Sequence, residues 1–330
     1  MNSIPFQPEP SGVGEKDSLN DVANRNRIQI RLRVSASGGL VWCFNCSGMK
    51  KMLSEIRQLF TKKKSAVIDR NNQLKSQFPD FAEQTIRLIE FVEPFTMTSP
   101  ERISAMIDAV EYVTTNSVRG DVVECGVWRG GSMMAAACSL IERNSIERSL
   151  FLFDTFEGMS DASEEDRDFC DIAAATQLEE RAKNDPDSIW CYASIEDVRM
   201  NMSQTQYPAE RIRFIKGKVE ETLPNQGSEG CDQYDVPREI AILRLDTDWY
   251  ESTRVGLEEL YPRLVDGGVL IIDDYGHWKG CRKAVDEYFA EQEIGIFLHR
   301  IDYTGRIAIK PIQQKSSVDT STSKMPVGRY

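Results

Sequence analysis

Residues 240–248 have the sequence Ile-Ala-Ile-Leu-Arg-Leu-Asp-Thr-Asp, an apolar run that ends in carboxylates. Residues 269–274, Val-Leu-Ile-Ile-Asp-Asp, repeat the same pattern. Short apolar runs of this kind are typical of buried strands. In an open parallel sheet, the carboxyl ends of the strands line the ligand-binding crevice. The two stretches therefore predict neighbouring strands that bring four acids into one pocket, namely Asp246, Asp248, Asp273 and Asp274.

Four carboxylates so close together repel one another, and each raises the pKa of its neighbours unless a cation neutralises them. Because an all-oxygen ligand set suits a hard octahedral ion, the pattern predicts a Mg²⁺ site. The alternative is that these acids cap helices or lie in solvated turns, as single Asp residues after strands often do. Two such pairs favour the metal site. Asp248 follows Asp246 by two residues, so an extended backbone would place both side chains on one face.

The composition of the 330-residue chain, 41% hydrophobic and 28% charged, is typical of a globular protein with a substantial core. A formal net charge of −12 argues against a nucleic-acid-binding protein, which would carry a basic surface. The sequence shows neither an apolar run long enough for a membrane span nor a secretory signal. With eight scattered cysteines, these features predict a cytoplasmic protein with reduced thiols and no nucleic-acid partner. They disfavour a membrane partner, and a membrane-surface role for the amphipathic helix near residues 49–60 stays the less favoured alternative to packing on the main domain or on a partner subunit.

Three regions are predicted along the chain. Residues 1–75 form an N-terminal extension, with a Pro- and Gly-rich start that predicts disorder and a basic amphipathic helix near its end. Cys43 and Cys46 in this extension lack a second ligand pair, which argues against a zinc site. Residues 76–312 form the main domain, and residues 313–330 form a tail whose polar composition predicts disorder.

In the main domain, strands alternate with helices, which predicts an α/β fold with a doubly wound, mostly parallel sheet. Strands are predicted at 121–125, 150–153 and 211–215, before the two acid-tipped strands. A helix over 252–264 is predicted to end in a Gly267-Gly268 exit turn. A hairpin over 294–309 supplies a C-terminal antiparallel strand. The long acidic segment 157–192 is interpreted either as a lid or as a surface helix pair without a function.

The turn after the first strand of this domain indicates a nucleotide-like cofactor. Glu124 lies just before the turn, and Gly126 opens the turn, which leads into a small-residue helix where backbone N–H groups are free. Asp154, at the end of the next strand, is placed where a carboxylate can accept hydrogen bonds from a ribose. Trp128 stands where a dinucleotide fold has its second glycine and would obstruct a pyrophosphate. The pattern therefore favours S-adenosylmethionine over a nicotinamide cofactor.

Five ordered segments together closely resemble the macrocin O-methyltransferase family, whose members methylate sugar hydroxyls on macrolide and aminocoumarin natural products. The resemblance covers roughly residues 92–300 and is carried by 120–132, 152–159, 244–253, 271–276 and 282–286. It implies a class I methyltransferase fold, S-adenosylmethionine and Mg²⁺ as cofactors, and a homodimer.

The resemblance also implies roles for individual residues. Asp248 would be the general base of catalysis. The metal ligands would be Asp246, Asp273 and Asp274. The residues that bind S-adenosylmethionine would be Thr96, Met97, Glu124, Gly126, Val127, Trp128, Asp154, Gly217 and Lys218.

The predicted reaction is therefore Mg²⁺-assisted methyl transfer to a hydroxyl of a small-molecule acceptor, a sugar on a glycosylated natural product. Two alternatives stay open. The first is a catechol-like vicinal diol as acceptor, because the same metal chemistry serves it and aromatic residues such as Trp249 and Trp278 are available. The second is a non-catalytic homologue that binds S-adenosylmethionine, against which the intact carboxylates count.

Overall fold

The computed structural model describes residues 31–34, 40–43, 70–183, 185, 188–223 and 236–312. The chain divides into two compact units, residues 1–79 and 80–330. In the first unit, β1 (Arg31–Val34) pairs antiparallel with β2 (Leu40–Cys43), and residues 70–77 are helical. The predicted amphipathic helix and the two predicted disordered segments lie outside the described residues.

One seven-stranded sheet organises the second unit, with the strand order β5-β4-β3-β6-β7-β9-β8. Its first five strands in sequence run parallel, and β9 pairs antiparallel with both β7 and β8. This arrangement confirms the predicted α/β class I methyltransferase fold with a C-terminal antiparallel strand. The strands are β3 (Asp121–Cys125), β4 (Leu150–Asp154), β5 (Ile212–Lys216), β6 (Ile240–Leu245), β7 (Leu264–Ile272), β8 (His299–Arg300) and β9 (Arg306–Ile309).

Helices cover the sheet, and the central strands are buried because of them. Every residue of β6 is buried, as expected for a strand covered on both faces. The helices of this unit are α1 (Glu83–Val92), α2 (Pro100–Thr115), α3 (Gly131–Glu142), α4 (Ala174–Glu180), α5 (Ile195–Ser203), α6 (Val219–Thr222), α7 (Tyr250–Leu260) and α8 (Lys279–Glu291). Within the described ranges, no helix is both long enough and apolar enough to cross a membrane.

The predicted end of the helix before β7 was wrong. Helix α7 stops at Leu260, where a short 3₁₀ turn over Tyr261–Arg263 contains a proline, and β7 begins at Leu264. The Gly267-Gly268 pair therefore lies inside β7. The pairing of β6 with β7 shifts register between Ile240 and Ile242, so the glycines belong to an irregularity in the strand. The first strand of the terminal hairpin, predicted to begin at residue 294, is also shorter than predicted, because β8 covers only His299–Arg300.

Candidate active site

A cavity of about 540 Å³ opens at the carboxyl ends of β3, β4, β6 and β7. Every predicted site residue except Glu124 lines this cavity. Glu124 is buried on β3 directly beside it. The lining residues among those predicted are Thr96, Met97, Gly126, Val127, Trp128, Asp154, Gly217, Lys218, Asp246, Asp248, Asp273 and Asp274.

Asp154 organises the turn that follows β3. Its Oδ2 atom accepts hydrogen bonds from the backbone N–H groups of Val127 at 2.6 Å and Trp128 at 3.1 Å. Its Oδ1 atom accepts one from the backbone N–H of Phe156 at 2.6 Å. The carboxylate therefore connects the turn that follows β3 with the turn that follows β4. The sequence predicted a ribose-binding role for Asp154, and that role stays a prediction.

Gly126 is required where this turn meets β6. Its φ is +80°, and a Cβ atom there would lie 1.8 Å from the carbonyl oxygen of Asp246. The turn can approach the neighbouring strand only because this position lacks a side chain. The same contact joins the cofactor-type turn to the carboxylate cluster.

Gly126→Ala is therefore expected to destabilise the protein by more than about 1–3 kcal/mol, the range for backbone strain alone, because the Cβ overlap adds to that strain. The matched control is Gly295→Ala, since a Cβ at Gly295 would meet no atom within 4 Å. We expect this control to change the free energy of unfolding by less than about 0.5 kcal/mol. Urea denaturation of both variants checks the difference, and equal stabilities would contradict the close approach.

Three of the four predicted carboxylates converge on one point. Asp246, Asp248 and Asp274 each offer an oxygen atom, and these atoms lie within 4.8 Å of one another. Burial is the main cause that raises the pKa of Asp246 to about 6 and of Asp248 to about 7, and it also raises the pKa of Asp274. The neighbouring carboxylates add to this effect. Such a cluster holds its full negative charge only when a cation is close.

Asp273 lies beside the cluster but faces two guanidinium groups. Arg102 and Arg244 each form an ion pair with its carboxylate, through different oxygen atoms. Arg102 also forms an ion pair with Asp302 at 3.0 Å. The structure therefore brings Asp273 into the cavity without adding it to the three-carboxylate cluster. Its assignment as a metal ligand stays a prediction.

Asp248 reaches the cluster through a turn, and the expectation of an extended backbone was wrong. Its φ is +63°, in the left-handed region. The backbone N–H of Trp249 donates to the carbonyl oxygen of Thr247 at 2.7 Å, which closes a three-residue turn around Asp248. Turns of this type with a positive central φ are rare and strained. The strain points to a function for the side chain, because such residues cluster at active sites.

Arg244 links the two halves of the cavity, and no role was predicted for it from the sequence. It lies opposite Glu124 in the β3–β6 ladder and forms an ion pair with that residue. The amino group that forms this ion pair also donates a hydrogen bond to the carboxylate of Asp246 at 2.7 Å. Its second amino group donates to the hydroxyl oxygen of Thr98 at 3.0 Å and also to the carboxylate of Asp273. A charged residue inside the apolar run 240–245 was the available signal, since Arg is almost never buried unless it is paired.

The segment 157–192 is attached to the loop that carries Asp248. Asp166 is buried, and its Oδ1 atom accepts a hydrogen bond from the backbone N–H of Tyr250, the first residue of α7, at 2.7 Å. The indole N–H of Trp249 donates to the carbonyl oxygen of Ser160 at 3.1 Å. The segment also lines the cavity with residues such as Met159 and Cys191. Its interpretation as a lid stays a prediction.

Residues 52–309 match the macrocin-O-methyltransferase (TylF) family. The chain is 33% identical over 210 residues to the demethyldecarbamoylnovobiocin O-methyltransferase of Streptomyces niveus, covering 64% of this chain and 73% of that protein. The chain is also 33% identical over 210 residues to the 8-demethyl-8-(2,3-dimethoxy-alpha-L-rhamnosyl)-tetracenomycin-C 4'-O-methyltransferase of Streptomyces olivaceus. That match likewise covers 64% of this chain and 73% of the relative. Among solved structures, the O-methyltransferase NovP is 33% identical, with a TM-score of 0.55, and the match covers 66% of this chain and 82% of NovP.

These matches confirm the resemblance that was inferred from the five motifs. The family match begins at residue 52, inside the stretch predicted as an N-terminal extension, and extends through β9. The relatives are O-methyltransferases, and the cavity contains the turn and the carboxylates from which that chemistry was predicted. The chain belongs to the macrocin-O-methyltransferase (TylF) family and is an S-adenosylmethionine-dependent O-methyltransferase.

Proposed function

We propose that this enzyme uses Mg²⁺ to methylate a sugar hydroxyl on a glycosylated natural product. The observation that carries the proposal is the cluster of Asp246, Asp248 and Asp274, which shares one cavity with the turn after β3. The name of the Streptomyces olivaceus relative supports the acceptor class, because it describes methylation of a rhamnosyl tetracenomycin.

The buried carboxylates fit a bound cation. Asp274 Oδ2 is buried and has no hydrogen-bond partner among the residues that the structure describes. An unsatisfied buried acceptor costs about 1–3 kcal/mol, and more when it is charged. Mg²⁺ bound by Asp246 and Asp274, with Asp273 as the third ligand, would act as a Lewis acid and fix the acceptor oxygens for reaction. Arg244 and Arg102 would hold Asp273 in place.

A second buried oxygen atom without a hydrogen-bond partner is suited to contact the cofactor. Glu124 Oε2 is buried without a partner in the described part of the chain, whereas its Oε1 atom contacts Arg244. We assign this free oxygen to the ammonium group of S-adenosylmethionine, whose sulfonium supplies the methyl group. Thr96 and Met97 would cover the cofactor, the turn from Gly126 to Trp128 would bind its methionine end, Asp154 would bind its ribose, and Gly217 and Lys218 would lie near its adenine.

Asp248 is assigned as the general base. A sugar hydroxyl is a poor nucleophile because it holds its proton tightly near neutral pH. Burial raises the pKa of Asp248 to about 7, which lies close to the pH at which a general base is most effective. Its carboxylate would accept the hydroxyl proton as the methyl group is transferred, while the strained turn around it keeps the carboxylate directed at the cluster.

The decisive experiment incubates the enzyme with methyl-labelled S-adenosylmethionine and a matched panel of glycosides and catechols, with Mg²⁺ or with excess EDTA. We expect transfer of label to glycosides, and loss of that transfer in EDTA, because the carboxylate cluster needs a cation. Full turnover in EDTA contradicts the metal assignment. Transfer to catechols alone contradicts the sugar acceptor, and label transfer to neither class contradicts both acceptor classes. Assembly as a homodimer and residence in the cytoplasm stay predictions from the sequence.

A further inference from the structure

Four aromatic rings form a connected cluster near Asp274, and two of them, those of His277 and Trp278, line the cavity. The rings of Trp278 and His277 lie 4.8 Å apart, and those of His277 and Phe169 lie 5.4 Å apart. The ring of Tyr303 lies 6.0 Å from His277 and 6.4 Å from Phe169. We call Phe169, His277 and Tyr303 the aromatic shelf. All its ring pairs have the edge-to-face geometry that aromatic groups prefer.

The outer part of the shelf is open to solvent. Phe169 is 60% exposed and Tyr303 is 54% exposed. Single exposed aromatic residues are common on protein surfaces, whereas a contiguous group of them marks an interaction site. The shelf therefore offers a ready surface to an apolar ligand.

Three separate parts of the fold hold the shelf in place. Phe169 comes from the segment 157–192, where the neighbouring Asp168 forms a backbone bridge to Trp278. His277 follows β7, and Tyr303 lies in the turn between β8 and β9. The Tyr303 hydroxyl forms a 2.8 Å hydrogen bond with Nδ1 of His277. Because these contacts exist before any ligand binds, little ordering is needed at the shelf on binding.

The shelf is continuous with the proposed site of methyl transfer. His277 and Trp278 line the same cavity as the carboxylates. The backbone N–H groups of both residues donate to the carbonyl oxygen of Asp274, each at 3.0 Å. A molecule that presents a hydroxyl to Asp248 and extends toward solvent past Asp274 would therefore pass over the shelf.

The chemistry of the shelf selects for an uncharged aromatic group. The cavity beside the shelf is lined by six carboxylates and by three basic side chains, those of Arg102, Lys218 and Arg244, in a chain of net charge −12. This excess of negative charge disfavours the phosphates of a nucleotide-linked sugar. A polar diol joined to a flat apolar group matches both the carboxylate cluster and the shelf.

We propose that the aromatic shelf binds the aglycone of the acceptor, and that this aglycone is a flat aromatic ring system rather than a nucleoside diphosphate. The inference rests on the proposed function, because it assigns the part of the acceptor that does not react. Phe169 and Tyr303 are then specificity-determining residues that stack against the aglycone while its sugar enters the cavity.

The test measures binding by titration calorimetry, with S-adenosylhomocysteine and Mg²⁺ present. The ligands are 4-methylumbelliferyl α-L-rhamnoside, methyl α-L-rhamnoside and free 4-methylumbelliferone. We expect the wild type to bind the aryl glycoside at least about 10-fold more tightly than the methyl glycoside. Phe169→Ala and Tyr303→Ala should each reduce this ratio roughly 2- to 10-fold, the range for one aromatic pair. Tyr303→Phe, which keeps the ring, should preserve it.

Phe297→Ala is the matched control, because Phe297 is 82% exposed and lies outside the shelf and the cavity lining. It should leave the ratio unchanged. The proposal is overturned if the wild type binds both glycosides equally and does not bind 4-methylumbelliferone. It is also overturned if Phe169→Ala leaves the ratio of the two glycoside affinities unchanged. Tighter binding of a nucleoside-diphosphate rhamnose than of the aryl glycoside also overturns it. Shelf-dependent binding without methyl transfer would contradict the proposed function alone.

Discussion

Asp248→Asn is expected to lower kcat by at least about 10²-fold, the low end for a lost general base. Asparagine keeps the shape and the hydrogen-bonding reach of aspartate but cannot accept the proton. The affinities for S-adenosylmethionine and Mg²⁺ should stay within a few-fold of wild type, because the proposal assigns Asp248 to the proton and not to the metal. Steady-state kinetics at saturating Mg²⁺, with calorimetry of both ligands, measure these effects.

Asp274→Asn is the matched comparison, since both residues belong to the same cluster. This variant should weaken Mg²⁺ binding directly. Asp248 lies close enough to the other two oxygens to be a ligand itself, so the pair of variants decides between two arrangements. Loss of Mg²⁺ binding in Asp248→Asn would make Asp248 the third ligand in place of Asp273. Near-normal kcat in that variant would show that another group takes the proton.

The sequence predicted which side chains meet in one cavity where their placement depends on the ends of strands. Acids that directly follow two buried strands converge because parallel strands carry their carboxyl ends to one edge. The ladder achieves this here, since the backbone N–H of Asp246 donates to Cys125 and that of Asp273 donates to Leu245. The alternation of strands with helices and the Gly126 turn follow from the same local signals. These features need only periodicity and residue type.

The sequence predicted less where contacts join residues that are distant along the chain. The strained turn at Asp248 is stabilised by tertiary packing, so its conformation contradicts the extended backbone that local reasoning suggested. The attachment of Asp166 to α7 spans 84 residues, and the bond between Tyr303 and His277 spans 26. Acidic or aromatic composition does not reveal such partners. The aromatic shelf was therefore invisible until the fold brought its three parts together.

Arg244→Met is expected to lower the free energy of unfolding by about 3–5 kcal/mol, the range for removing one partner of a buried ion pair. The variant leaves the carboxylates of Glu124, Asp246 and Asp273 buried without the guanidinium that contacts all three. The matched control is Arg119→Met, which breaks an exposed pair with Glu239 and should change stability by at most about 1 kcal/mol. Urea denaturation in the absence of divalent ions measures both variants.

The electrostatic origin of this loss can be separated from a packing defect. If uncompensated charge is the cause, Glu124→Gln added to Arg244→Met should recover part of the lost stability, because it removes one of the stranded carboxylates. Saturating Mg²⁺ should also raise the Tm of Arg244→Met more than that of the wild type, since a cation near Asp246 replaces some of the missing positive charge. A loss of stability no larger than that of Arg119→Met would contradict the role of Arg244. A large loss that neither Glu124→Gln nor Mg²⁺ relieves would assign Arg244 to packing, and the carboxylates of Glu124, Asp246 and Asp273 would then be stabilised by other groups.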